Sequence, residues 1–293
     1  MFPVLFTVGG AWVSSYGALG ALGFTLAVII SVRQARRVGI PAARIIDLGF
    51  WILVAGLIGG RIVFAITNAE DFVDVCREAP SLASCTKVLQ VWQGGLAWYG
   101  SLIGAVLFMV WWLRRQKLAV LPVMDVIVPG AALGHALGRI GCFAAGCCYG
   151  RVAAPGTPGA LTARFGRGSL ALLEGRQAGW ATIWEDVTPP LYAVQLGEAA
   201  LELCLGVALL LLLPRKRFHG QVVATWLLGY ALGRAVIEHF RGDLSRGRLV
   251  GVSTSQWLAL AMAGVGALLW AWGRRSSGSD HRAAPPPGPA SPA

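Results

Sequence analysis

The stretch IIDLGFWILVAGLIGGRIVFAI, from Ile45 to Ile66, decides the fold class. It reaches the roughly 20 apolar residues that a helix needs to cross the hydrocarbon core of a bilayer. Its charged residues are Asp47 near one end and Arg61 near the other. Because a single segment in hydrocarbon must satisfy its own backbone hydrogen bonds, the stretch is predicted to be a transmembrane helix.

Further apolar runs of similar length follow the same pattern. They lie near Ser15–Val32, Gly94–Leu113, Val123–Phe143, Leu191–Leu213, Gln221–Phe240 and Leu249–Trp272. The chain is 56% hydrophobic and only 13% charged, whereas a soluble domain carries about 25% charged residues. We therefore expect an all-α, polytopic membrane helix bundle of about seven transmembrane helices within residues 1–275. A disordered cytoplasmic tail is predicted for residues 276–293, which are rich in Ser, Pro, Gly and Ala.

Basic clusters in alternate connections predict the orientation. They are Arg33, Arg36, Arg37 and Arg44; Arg114, Arg115 and Lys117; Arg215, Lys216 and Arg217; and Arg274 with Arg275. By the positive-inside rule these regions are cytoplasmic, so the N-terminus lies outside and the C-terminus lies in the cytoplasm. The net charge of +11 is therefore interpreted as a topology signal and as attraction to anionic lipid headgroups. No nucleic-acid module is recognised.

The outside connections contain further signals. Trp180 and Trp184 in the long connection predict that it lies along the membrane surface, since such rings favour the interface; a flexible loop is the alternative. Cys76 and Cys85 share the first outside connection, where a disulfide is plausible. A cluster at Cys142, Cys147 and Cys148 could suggest metal, but no His or acid joins it at ligand spacing, so no metal site is expected.

Ionisable residues inside spans are expensive, and each is a functional candidate. Arg61, Arg139, Arg234 and Glu238 all fall in the outer half of the predicted bundle. Tyr230, Arg234 and Glu238 recur every four residues and so share one helix face. A structural ion pair between Arg234 and Glu238 is the alternative. The guanidinium of Arg139 suits phosphate oxygens, unless it merely extends to the interface.

Two further side chains are candidates for proton transfer. His135 lies four residues before Arg139 and so shares its face, although a lone histidine is more often a hydrogen-bonded core residue. Tyr99 lies among glycines in WQGGLAWYGSLIG, from Trp92 to Gly104. Those glycines could serve packing alone.

Five segments resemble, in order, those of the prolipoprotein diacylglyceryl transferase family. They are GGRIVFAI (Gly59–Ile66), WYGSLIGA (Trp98–Ala105), GRIGCFAAGCCYGR (Gly138–Arg151), VQLGEA (Val194–Ala199) and YALGRAVIEHFRGD (Tyr230–Asp243). The resemblance extends from about Phe6 to Trp272. It implies a bacterial inner-membrane enzyme that transfers the diacylglyceryl group of phosphatidylglycerol to the lipobox cysteine of a prolipoprotein signal peptide and releases glycerol phosphate, without a cofactor.

The resemblance also implies the site residues. It assigns Arg139 and Arg234 to the lipid phosphate and glycerol region. From the chemistry of the reaction we hypothesise that Glu238 orients Arg234 and that Tyr99 or His135 assists proton transfer. The residues expected to bind substrate are Arg61, Gly100, Gly138, Arg139, Gly150, Tyr230, Arg234 and Arg241.

The chain departs from the family pattern at three positions. Tyr99 stands where the family usually has a histidine, Cys142 where it usually has an asparagine, and Cys147 at a position that is usually acidic. Tyr99 and His135 are therefore both candidates for the base that activates the thiol. The alternatives are a divergent lipid transferase with another acceptor, and a non-enzymatic lipid-binding or transport protein, for which a broken helix at the midplane is expected.

Overall fold

The structure is a computed structural model that describes residues 4–8, 11–78, 80–90, 95–242 and 248–280. These residues are mostly helical. The α-helices are α1 (Ser15–Arg37), α2 (Ala42–Thr67), α3 (Ala69–Glu78), α4 (Leu82–Cys85), α5 (Trp98–Arg115), α6 (Val120–Ala145), α7 (Leu170–Gln177), α8 (Val194–Leu212), α9 (Gln221–Glu238) and α10 (Thr254–Asp280). Short 3₁₀ helices occupy Lys87–Leu89, Gly159–Leu161 and Leu213–Arg215.

The strands in the described residues form three antiparallel pairs. They are β1 (Val4–Val8) with β2 (Ala11–Ser14), β3 (Thr162–Ala163) with β4 (Leu191–Tyr192), and β5 (Arg248–Leu249) with β6 (Val252–Ser253). The β3–β4 pair joins an inner part of the connection between α6 and α8 to its C-terminal end, with Thr162 opposite Tyr192.

Five helices in the described part of the chain are long and apolar enough to cross a membrane: α1, α2, α6, α8 and α10. Each of the seven predicted spans corresponds to a long helix. However, α5 and α9, each 18 residues long, are not among the five helices that meet this combined requirement of length and apolar composition. The chain is thus a multi-pass membrane protein. Helix α10 continues to Asp280, into the predicted tail, and residues 281–293 lie outside the described residues, as does the predicted span start at Gly94.

The chain forms two compact units, of which one comprises Val32–Val123. In this unit α2 and α5 pack through glycines. A Cβ on Gly59 would lie 2.5 Å from the carbonyl oxygen of Gly100, and one on Gly104 would lie 2.7 Å from that of Ala55. Small residues therefore allow the two backbones to touch, as is usual where lipid supplies no hydrophobic drive between helices. A disulfide joins Cys76 to Cys85.

The other unit comprises residues 1–31 and 124–293. Helices α1 and α6 meet through Gly23 and Gly134, each of whose Cβ positions would lie 2.5 Å from the other's carbonyl oxygen. A buried apolar cluster includes Ala132 of α6, Leu209 of α8 and Val222 of α9. The helix α6 runs without a break through Pro129, so it does not form the broken span expected of a transporter.

The connection between α6 and α8 folds around buried aromatic rings. Phe165 and Tyr149 are almost fully buried, and the hydroxyl of Tyr149 donates to Glu174 of α7. Trp180 packs edge-on against Tyr149, whereas Trp184 is 86% exposed. The segment therefore has a core of its own, which disfavours a flexible loop. Only Trp184 has the exposure expected of a ring at the membrane interface.

A buried carboxylate holds the start of α9. Asp125 of α6 has no exposed surface and accepts hydrogen bonds from the backbone N–H groups of Gly220, Val222 and Val223 at 2.8–3.1 Å. It also accepts from Nζ of Lys216 at 2.8 Å. The first N–H groups of a helix have no partner within the helix, and a negative charge there is favoured by the helix dipole. Asp125 thus joins α6 to α9.

Replacing Asp125 with alanine should lower the free energy of unfolding by about 3–5 kcal/mol, because it leaves buried N–H groups and the partly buried ammonium of Lys216 without their acceptor. Thermal unfolding of the purified protein in detergent measures the loss. The matched control is Asp186→Ala, which breaks the exposed ion pair with Arg167 and should cost about 1 kcal/mol or less. If the two substitutions lowered the free energy of unfolding equally, Asp125 would not stabilise the start of α9 as described.

Candidate active site

Glu198 of α8 is the point at which three helices meet. Its side chain is 1% exposed, and Oε1 accepts from Nη2 of Arg139 at 2.8 Å and from the hydroxyl of Tyr230 at 2.7 Å. Arg139 lies on α6 and Tyr230 on α9. A buried carboxylate needs a paired charge and hydrogen bonds to remain ionised. The pair therefore fixes the position of the Arg139 guanidinium.

Arg234 approaches the same carboxylate from α9. Its Nη2 lies 2.8 Å from Oε2 of Glu238 one turn along the helix, and both side chains are buried. Glu238 also accepts from Oγ of Ser253 at 2.7 Å, immediately before α10. The guanidinium groups of both Arg139 and Arg234 act electrostatically on Glu198 and Tyr230. Arg139 and Arg234, the two arginines predicted to bind the lipid phosphate, are thus both near Glu198. Arg234 forms its ion pair with Glu238 at the same time.

Several buried polar atoms in this cluster have no hydrogen-bond partner among the described residues. They are Nε of Arg139, Nη1 of Arg234 and Oε2 of Glu198. Unpartnered buried donors are rare and expensive, and such atoms frequently mark binding sites. Two guanidinium groups that retain unused N–H donors suit an anion with several oxygen acceptors, such as a phosphate ester.

A second pair lies one helical turn along α8. Nδ1 of His135 lies 2.7 Å from Oε1 of Glu202, and Nε1 of Trp226 donates to Oε2 of Glu202 at 3.1 Å. Glu202 is fully buried, while the His135 side chain is 32% exposed. A carboxylate on Nδ1 favours the tautomer in which Nε2 is free to accept a proton. His135 is therefore a hydrogen-bonded residue that retains one nitrogen for chemistry.

Glu198 and Glu202 were not assigned from the sequence. The signal was present, since two carboxylates four residues apart in an otherwise apolar helix share one face. The ionisable residues first considered were those in the outer half of the predicted spans, chiefly arginines. The structure adds the two buried acids as the residues that hold Arg139 and His135 in position.

The other predicted residues of this unit lie around the C-terminal ends of α6 and α9. Gly150 forms an isolated bridge with Arg241, and a Cβ on Gly150 would lie 2.4 Å from the carbonyl oxygen of Tyr192. Gly150 is therefore required by close backbone approach. A Cβ on Gly138 would meet no atom within 4 Å, so the backbone beside Arg139 has open space.

The remaining predicted residues belong to the Val32–Val123 unit. Arg61 donates to the carbonyl oxygens of Lys87, Val88 and Gly95 at 2.6–2.8 Å. Gly100 lies against the backbone of α2, and Tyr99 is 39% exposed beside Trp98. These contacts give Arg61 and Gly100 structural roles, while lipid binding by them and proton transfer by Tyr99 stay predictions.

Three thiols lie beside the arginine cluster. The sulfur atoms of Cys142, Cys147 and Cys148 are all within 4.8 Å of one another. Hydrogen bonds from the other two thiols, together with the positive charges of Arg139 and Arg241, lower the pKa of the Cys148 thiol. Hydrogen bonding to its two neighbours and burial raise the pKa of Cys147.

Apolar helices that converge on buried guanidinium and carboxylate groups define a multi-pass membrane protein with a buried, charged site. The family model for prolipoprotein diacylglyceryl transferase matches residues 3–272. The chain belongs to this family and is a transferase that acts in lipoprotein diacylglyceryl transfer. Membership excludes the non-enzymatic alternative.

Curated relatives agree over nearly the whole chain. Proteins named phosphatidylglycerol–prolipoprotein diacylglyceryl transferase include one from Yersinia enterocolitica, 31% identical over 93% of this chain and 94% of the relative. Another, from Photorhabdus laumondii, is 30% identical over 94% of each chain. A third, from Clostridium tetani, is 27% identical over 89% of this chain and 93% of the relative.

Substituting Glu198 with glutamine should reduce diacylglyceryl transfer by about 10²-fold, because a misplaced guanidinium no longer meets the reacting group in the required geometry. Glu198→Asp retains the charge and should keep more activity than the glutamine variant. Initial rates in detergent, normalised to folded protein, measure both. Wild-type transfer by Glu198→Gln would contradict the positioning role.

Proposed function

We propose that this protein takes the diacylglyceryl group from phosphatidylglycerol and transfers it to the lipobox cysteine of prolipoproteins. The relatives' names specify that donor and a prolipoprotein acceptor. The observation that carries the proposal is the convergence of Arg139 and Arg234 on Glu198, with unpartnered buried donors on both guanidinium groups. Phosphatidylglycerol carries a phosphodiester, which is an acceptor of the required charge.

The reaction forms one bond and breaks another. The cysteine thiolate sulfur attacks a glyceryl carbon of the lipid, the carbon–oxygen bond to phosphate breaks, and its electron pair leaves with glycerol phosphate. Negative charge on the departing phosphate grows in the transition state. Arg139 and Arg234 stabilise that charge in a site of low dielectric, where fixed donors are worth most. Glu198, which also accepts from Tyr230, holds the guanidinium of Arg139, and Glu238 holds that of Arg234.

His135 is the better supported of the two candidate bases. Its hydrogen bond with Glu202 orients the ring and favours a free Nε2. The proton of the acceptor thiol passes to this nitrogen in the proposed step. Tyr99 stays the other candidate.

The membrane arrangement completes the proposal. Seven spans, with α5 and α9 included, place the N-terminus outside and the basic C-terminal end in the cytoplasm. The site then faces the outer leaflet of the bacterial inner membrane, on the side to which secreted prolipoproteins are exported. Both α5 and α9 are long enough to form short spans when buried among other helices.

Transfer from labelled phosphatidylglycerol to a lipobox peptide tests the lipid site. Arg139→Ala and Arg234→Ala should each lower the rate by about 10²–10³-fold, the usual loss when one donor to a developing anion is removed. Arg139→Lys keeps the charge without the bidentate geometry and should recover only part of the rate.

The matched control for these substitutions is Arg167→Ala, which removes an arginine whose side chain is 76% exposed in the outer connection. It should transfer lipid at the wild-type rate. A peptide in which serine replaces the lipobox cysteine should accept no lipid. Undiminished transfer by both alanine variants would reject the assignment of phosphate binding.

The base is tested by His135→Gln, which keeps a donor for Glu202 but cannot take up the proton. Its transfer rate should fall by about 10²-fold or more, because no general base then takes up the thiol proton. Tyr99→Phe should retain activity in parallel. The opposite result, with loss only in Tyr99→Phe, would assign the role to the tyrosine.

A further inference from the structure

We propose that Cys142, Cys147 and Cys148 form a binding site for one thiophilic metal ion of the Zn²⁺ class. Two of these residues, Cys142 and Cys147, are also positions at which the chain departs from the family pattern. The absence of a histidine or acid argued against metal in the sequence, but three thiolates alone form a suitable soft-ligand set. The proposal is independent of the lipid-binding assignment.

The sulfur positions carry the proposal. A Zn–S bond is about 2.3 Å long, so two sulfur ligands of one ion lie about 3.8–4.0 Å apart. The three Sγ atoms already lie within 4.8 Å of one another. Rotation of the thiol side chains by less than about 1 Å at sulfur therefore brings them to ligand distance. Cys142 is buried and the other two are partly buried, which favours retention of a bound ion.

The backbone around the cluster is held in the required turn. Cys148 has φ of +56°, a conformation that is uncommon for residues other than glycine. The N–H of Cys147 donates to the carbonyl oxygen of Cys142 at 3.1 Å, and Nε2 of Gln195 donates to that of Cys147 at 2.8 Å. These bonds fix the turn that returns the two later thiols to the end of α6.

Charge balance also supports the site. Binding of a divalent ion converts three thiols into thiolates and releases three protons to solvent, which leaves a complex of net charge −1. The positive charges of Arg139 and Arg241 act on Cys148. A net anionic complex is compatible with these neighbours, whereas an ion held by neutral ligands would be repelled. The three protein ligands leave a fourth coordination position for a further donor.

Cadmium binding tests the proposal on the full-length protein, because Cd²⁺ shares the preference for thiolates and its sulfur complexes absorb in the ultraviolet. Cys76 and Cys85 are replaced by serine so that reduction of their disulfide adds no competing thiols. The reduced, chelator-treated protein should bind one Cd²⁺, with a sulfur-to-cadmium absorption band. Cys142→Ser, Cys147→Ser and Cys148→Ser should each weaken binding at least about tenfold. Cys204→Ser, which removes the other free cysteine, should leave it unchanged.

Alkylation gives a measurement that needs no substitution within the cluster. Bound Cd²⁺ should protect Cys142, Cys147 and Cys148 from a thiol reagent, as read by mass spectrometry, while Cys204 is modified at the same rate with or without the ion. Absence of both the absorption band and the protection would overturn the proposal. So would binding that persists in a variant with all three cysteines replaced.

Discussion

The contact of Arg139 with Glu198 is the interaction on which the rest of the site depends. Each of these charges would be expensive inside a helix bundle, because burial removes the water that stabilises it. Paired at 2.8 Å they can both stay ionised. Glu198 also accepts from Tyr230, so the pair joins α6, α8 and α9. The buried charges of Arg139 and Glu198 would be destabilising if unpaired, and their pairing therefore determines where α6 and α8 meet.

That constraint explains why the polar groups are arranged in layers. Along α8, Glu198 forms an ion pair with Arg139, and one turn further Glu202 forms a hydrogen bond with His135. Nearer the other end of α6, Asp125 holds Lys216 and the start of α9. Elsewhere apolar side chains and glycine contacts fill the helix interfaces. Because lipid supplies little hydrophobic drive between helices, close backbone contact and a few satisfied polar bonds must supply much of the specificity.

Much of this could be predicted from the sequence, because hydropathy and charge are strong signals in membrane proteins. The runs that contain Arg61, Arg139 and Arg234 all form helices, and the arginines of α6 and α9 converge as expected. Glu198 and Glu202 could not be predicted as site residues, because the sequence around a carboxylate in an apolar run does not indicate which residue on another helix it contacts. The hydrogen bonds of Arg61 could not be predicted from the sequence either, because its acceptors are backbone carbonyl groups, which every residue has.

The two classes of departure from the family pattern have different physical consequences. Tyr99 lacks the ring nitrogen of the histidine that the resemblance implies at its position, whereas His135 has a ring nitrogen oriented by the buried Glu202. Cys142 and Cys147 replace polar residues by soft ligands next to Cys148. An amide or carboxylate oxygen accepts hydrogen bonds from a guanidinium directly, whereas a thiol interacts with it weakly unless it ionises. The local charge at the C-terminal end of α6 therefore depends on the ionisation of the three sulfurs, and Arg139 and Arg241 are the cations that act on Cys148.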